Sequence, residues 1–78
     1  MNSNKQEGVL VYAFGSGRYD IQFSLEEYYG GLNCGECFDI YINRQWKPVR
    51  IEYCHKDQDW YLVGVSRDIG LQGLKVRV

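Results

Sequence analysis

The side chains in this chain best suited to chemistry are Cys34, Cys37, Cys54 and His55. Cys34-Gly35-Glu36-Cys37 has the two-residue gap of a zinc knuckle, and Cys54-His55 would have to supply the rest of a tetrahedral site. Neighbours on a strand point to opposite faces, so Cys54 and His55 reach one ion only where the strand breaks. A redox couple would want its first thiol at a helix N-terminus, where the pKa falls, yet these residues read as a turn entering a strand. His55 is the only histidine and leads into Lys56, Asp57 and Asp59, an exposed turn with nothing to orient an imidazole toward a thiol. There is no serine-histidine-carboxylate order, phosphate-binding glycine loop or paired acidic motif. The residues therefore predict free, reduced thiols, with no metal, no cofactor and no enzymatic activity.

The stronger signal is aromatic. Aromatic residues make up 15% of the chain, among them seven tyrosines and two tryptophans. A domain this small cannot hide them all while satisfying each polar tip. Tyr28, Tyr29, Tyr41, Trp46, Trp60 and Tyr61 are the candidates for a binding surface, joined by Arg18, Arg50 and Arg77 (and Lys75) pointing outward from their strands. Rigid rings and guanidinium forks are enriched where proteins bind ligands and partners. The competing reading is ordinary packing, with arginines snorkelling over the rings and surface pairs such as Arg50 with Glu52 or Asp20.

These residues must be positioned by strands. Val9 to Phe14 reads as a first strand closed by Gly15-Ser16-Gly17, and Tyr19, Ile21 and Phe23 alternate with Arg18, Asp20 and Gln22 in a second. Ser24 with Glu27 three residues later is a capping-box pattern ending at Gly30-Gly31, which predicts one short helical turn. Phe38, Ile40 and Ile42 alternate with Cys37, Asp39 and Tyr41, placing Cys37 on the outer side of its strand. Asn43-Arg44-Gln45 reverses the chain; Val49, Ile51 and Tyr53 then alternate with Arg50, Glu52 and Cys54. Pro48 lacks an amide donor, so its strand lies at an edge or begins there. Trp60 to Val63 follows the Lys56-Asp57-Gln58-Asp59 turn. Leu74, Val76 and Val78 make an apolar ending that must be tied into the sheet. The expected fold is all-β: a small antiparallel SH3-like barrel of five or six strands with one helical turn, residues 8–78 forming a single domain after a flexible tail, 1–7.

With 78 residues, 45% of them hydrophobic, the chain has room for one core and none for a large catalytic scaffold. Nine Lys+Arg against ten Asp+Glu give a formal charge of -1, so no global field draws it onto nucleic acid or an anionic membrane. No apolar run approaches the roughly 20 residues of a membrane-spanning helix. The polar N-terminus does not read as a signal peptide, which predicts a cytoplasmic protein with reduced thiols.

Arg18-Tyr19-Asp20-Ile21, Tyr28-Tyr29-Gly30-Gly31-Leu32 and Cys34-Gly35-Glu36-Cys37-Phe38 occur in order with Trp46, Arg50-Ile51-Glu52, Trp60-Tyr61-Leu62-Val63-Gly64 and Gly73-Leu74-Lys75-Val76-Arg77-Val78. From about Leu10 to Val78 this set resembles the domain of unknown function 5348 family, small proteins of Gram-positive bacteria, their prophages and mobile elements. The resemblance brings no catalytic residue or cofactor. It implies an accessory role against a host system or in element maintenance.

The leading expectation is a non-enzymatic phage-type protein that antagonises host defence by sequestering an anionic, nucleotide-like small molecule. Rings would stack on the base, arginines would hold the phosphates, and the site would lie between protomers of a homo-oligomer. The alternatives are an SH3-like module binding a host protein and, third, a nucleic-acid-binding accessory protein using an aromatic sheet face with basic flanks.

Overall fold

The computed structural model describes residues 5–78. The part of the expected flexible tail at 1–4 lies outside the described residues. Six antiparallel strands, β1 (Glu7–Ala13), β2 (Arg18–Gln22), β3 (Cys37–Ile42), β4 (Gln45–Cys54), β5 (Asp59–Val63) and β6 (Lys75–Arg77), form one sheet in the order β2-β1-β6-β3-β4-β5. The sheet curls into an SH3-like half-barrel around Leu10, Ile21, Phe38, Ile40, Val49, Ile51, Trp60, Leu62 and Val76, with Leu32 closing one side. Within the strands the buried apolar residues follow the period of two that the sequence shows, and Asp39 in β3 is covered besides. Cys37 lies exposed on the outer face, opposite Arg50.

The short β6 sits in the middle of the sheet, between β1 and β3, which is why the apolar C-terminus is held. Gln6 and Val78 exchange backbone bonds of 2.8 and 3.0 Å, so pairing begins before the expected start of the first strand. Gly8 makes the curl possible: a Cβ there would stand 2.6 Å from the Gln22 carbonyl oxygen and 2.7 Å from Ile21.

Three hairpins set the rest. Asn43 and Arg44 both take positive φ (53° and 64°), the mirror-image two-residue turn that suits strand twist. The β1–β2 and β4–β5 hairpins each close on four residues, and in each the last of these, Gly17 (φ 72°) or Gln58 (φ 54°), is left-handed. Pro48 sits inside β4, and β5 pairs only with the later residues 50–54, so that edge is open at the proline.

The expected helical turn over Ser24–Tyr29 is not formed, and no helix occurs among the described residues. Ser24 Oγ and Glu27 Oε1 do meet at 3.4 Å. The backbone bonds, however, run from Phe23 N to the Glu27 oxygen, from Tyr29 N to Ile21 and from Leu32 N to Tyr19, so the segment lies along the edge of β2. Asp20 Oδ1 accepts from Ile21, Gly30 and Gly31 N at 2.8 to 3.0 Å and staples it there. Six residues are too few to repay helix nucleation, and Leu25 finds nothing to pack on; an edge strand offers bonds at once.

Candidate functional site

The two edge strands approach each other across an open seam. Among the described residues one direct bond joins the two hairpins across it: Trp60 Nε1 donates to the Gly17 carbonyl at 2.9 Å. Beside this bond lies a cleft of about 620 Å³, built from the ends of the β1–β2 and β4–β5 hairpins. Its rings come from two cross-strand pairs on the inner face, Tyr12 opposite Tyr19 and Tyr53 opposite Trp60, each with centroids 5.1 Å apart in an edge-on arrangement. His55 meets Tyr53 edge-on at 5.0 Å. Cys34, Ser16, Gln58, Arg18 and Asp59 complete the lining.

The two pairs stand at equivalent places. Each is followed by one residue, a four-residue loop and one residue, so the sequence reads Tyr12-Ala13, loop, Arg18-Tyr19 and Tyr53-Cys54, loop, Asp59-Trp60. Arg18 and Asp59 therefore occupy matching positions with opposite charge. Asp59 Oδ1 is turned back to accept from Trp60 N at 2.9 Å. Arg18 Nη1 donates to Asn33 Oδ1 at 3.0 Å and to the Leu32 carbonyl at 3.4 Å, both neutral acceptors. Burial, then the Asp59 carboxylate and Tyr12, hold the Tyr19 hydroxyl above its usual pKa, so it stays protonated and able to donate.

The sequence-predicted residues divide among several places. Arg18 and Trp60 reach the cleft, but Trp60 is only 8% exposed and forms its floor. Its alternation with Leu62 puts the indole on the core face, and the seam bond satisfies its nitrogen, so its expected place on the surface is corrected. Tyr41, Trp46 and Arg77 converge on the outer face: Tyr41 and Trp46 lie 5.1 Å apart and the Arg77 guanidinium is 4.4 Å from the Trp46 centroid. Arg50 is on the same outer face, bonded to Glu52 at 2.7 Å. Tyr61 carries the Arg67 guanidinium 4.0 Å from its centroid. Tyr28 and Tyr29 are exposed on the segment beside β2, and Tyr29 donates to Glu36 Oε2 at 2.7 Å, a bond that raises the phenol's pKa.

Tyr12, Tyr19, Tyr53, Cys34, His55 and Asp59 are cleft residues that the aromatic and charge signals did not select. The repeated spacing of ring, six residues, ring would have found four of the walls. The lining of the cleft comes from one chain. Among the described residues no three of His, Cys, Asp and Glu are grouped to hold a metal ion. Cys34 borders the cleft, whereas Cys37 faces out from β3.

No curated protein matches the chain. A crystal structure of a protein from Ruminococcus gnavus, determined by the Northeast Structural Genomics Consortium, is similar at 54% identity, with a TM-score of 0.83 over 92% of this chain and 99% of that one. A protein-family model described as a domain of unknown function (5348) matches residues 8–78, all but the first seven positions. The chain belongs to the domain of unknown function 5348 family.

Proposed function

We propose that this protein is a non-enzymatic binding protein whose seam cleft takes a planar, anionic small molecule of the nucleotide class. The observation that carries the reading is Arg18: it borders an aromatic cleft and has no carboxylate within ion-pair distance among the described residues, whereas Arg50, Arg67 and Arg77 are each paired with an acid. A guanidinium without an acid partner beside aromatic rings is the combination that holds a phosphate and a base together. About 620 Å³ lies within the range of small-molecule sites. The Tyr12 and Tyr53 rings flank the base, Arg18 takes the charge, and the protonated Tyr19 hydroxyl donates. In the setting that the family resemblance implies, such a protein withdraws a nucleotide signal from a host defence system.

Isothermal titration with a panel of linear and cyclic nucleotides tests this. The expected result is one site per chain, weakened at least tenfold by Arg18→Gln and by Tyr53→Ala. Absence of heat with every member of the panel, or an unchanged affinity in Arg18→Gln, overturns it. A second reading, a protein-binding module, is favoured by Phe14: it is 89% exposed at the hairpin tip and its ring is 4.9 Å from that of Tyr12 at the cleft. A host protein captured by the parent but not by Phe14→Ser would support that reading over the first.

A further inference from the structure

The outer face of the sheet carries a second arrangement that the cleft does not use. Tyr41 on β3 and Trp46 on β4 are direct cross-strand partners, and Lys75 and Arg77 reach over them from β6. Lys75 Nζ lies 5.2 Å from the Tyr41 centroid and 5.9 Å from that of Trp46. Asp39 Oδ2 accepts from both Lys5 Nζ and Arg77 Nε at 2.9 Å, so one carboxylate serves two cations. Lys75 has Glu7 at 3.6 Å. Arg44 stands in the turn that joins the strands of Tyr41 and Trp46. Four cations thus accompany two carboxylates around an aromatic pair, on a chain whose total charge is -1.

The orientation of Arg77 matters most. Its Nε is bound to Asp39, and neither terminal nitrogen of its guanidinium has a hydrogen bond among the described residues. The guanidinium is therefore held over Trp46, 4.4 Å from the ring centroid, and its two terminal nitrogens are left to meet an outside oxyanion. Rings that can stack on unpaired bases, edged by cations at the spacing of neighbouring strands, form the platform that single-stranded nucleic acids bind. A duplex hides its bases and offers this face only its phosphates.

We propose that the outer face formed by Tyr41, Trp46, Lys75 and Arg77, with Lys5 at its margin, binds single-stranded nucleic acid independently of the cleft. The phosphates lie on the Arg77 fork, Lys75 and Lys5, and a base stacks beside Trp46 and Tyr41. Three such phosphate contacts give a slope of log affinity against log salt of about -2 for a single strand.

The test is anisotropy of labelled oligothymidylate and oligouridylate, with tryptophan fluorescence followed in the same titrations. Binding at low salt is expected, with that slope and with quenching contributed by Trp46. Trp46→Leu should abolish the quenching and weaken binding at least tenfold. Lys75→Glu should also weaken binding, lowering the slope by about 0.7. Both variants should keep the parent circular dichroism spectrum, and Arg18→Gln at the cleft should bind as the parent does. Tyr41→Leu provides a second probe should Trp46→Leu lose the fold. No binding at low salt overturns the proposal, as does equal affinity for a duplex of the same length, or binding abolished by Arg18→Gln and untouched on the outer face. Failure here leaves the nucleotide titration of the cleft standing, and the reverse is equally true.

Discussion

Replacing Asp39 by asparagine removes the charge that organises the outer face and keeps the side chain's size. The residue is 8% exposed, yet it lies on the outer side of a single-layer sheet, so its cover comes from the side chains that bind it. Hydrogen bonds to a charged group contribute roughly 1.5–3 kcal/mol each when shielded, and exposed ion pairs about 0–1 kcal/mol. Lys5 is about half exposed and belongs near the lower range; Arg77, one third exposed, lies between. The parent should therefore exceed Asp39→Asn by roughly 1–2 kcal/mol at neutral pH, and each kcal/mol shifts the Tm of a domain this size by about 4–8 °C. The bonds from Lys5 and then Arg77 hold the Asp39 carboxyl below its ordinary value of 3.8 against the opposing effect of burial. A depressed folded-state pKa gives stability that is fully present above the unfolded value and is lost as pH falls through the folded one. The gap between parent and variant should accordingly be constant from pH 7 down to about 5, and shrink below pH 4. Urea unfolding followed by circular dichroism across that range measures it. Equal stability at pH 7, or a gap that widens in acid, would refute the reasoning.

Other substitutions probe the seam, the turns and the thiols. Trp60→Phe deletes the bond to Gly17 and should cost about 1 kcal/mol, whereas Trp60→Ala should cost about 3–5 kcal/mol because it also empties the cleft floor; urea midpoints distinguish the two. Gly64→Ala should destabilise by roughly 1–3 kcal/mol, since φ is 118° and the new Cβ would meet the Pro48 carbonyl oxygen at 2.9 Å, while Gly70→Ala, with open space around it, should be within about 0.5 kcal/mol of the parent in the same urea titrations. Cys34→Ser/Cys37→Ser should cost no more than roughly 0.5–2 kcal/mol, with melting of the parent unaffected by chelator; an unfolded double variant or a chelator-induced loss of structure would reverse the assignment of free thiols. In the parent, a thiol reagent should modify Cys34 and Cys37 before the half-buried Cys54, as read by mass spectrometry of timed samples.

What the sequence shows plainly is the face on which each strand residue lies, because alternation is local. Phe38 and Ile40 are buried and Cys37 and Tyr41 exposed, as their spacing requires. Asp39 shares the outer side with them and is nevertheless covered, since its partners come from residues 34 and 38 positions away. The helical turn fails for a related reason: Ser24 and Glu27 signal a helix locally, but the outcome rests on the Asp20 carboxylate, which gathers the Gly30 and Gly31 amides onto the edge of β2. Local signals name an element's preference, and a distant side chain with unfilled bonds can outweigh it.

The cleft shows how curvature escapes a one-dimensional reading. Alternation assigns Tyr12, Tyr19, Tyr53 and Trp60 to the inner face, where an aromatic residue reads as core. They pack on the core and also border a cleft, because each pair lies at the loop end of its hairpin. The curl depends on Gly8, whose missing side chain lets β1 close on β2, and on the Trp60 to Gly17 bond between residues 43 positions apart. Two hairpins of equal loop length then bring equivalent aromatic pairs to one seam. One difference between them sets the charges at the cleft, an arginine where the other has an aspartate: Asp59 is held by its neighbour's amide, and Arg18 has only neutral partners.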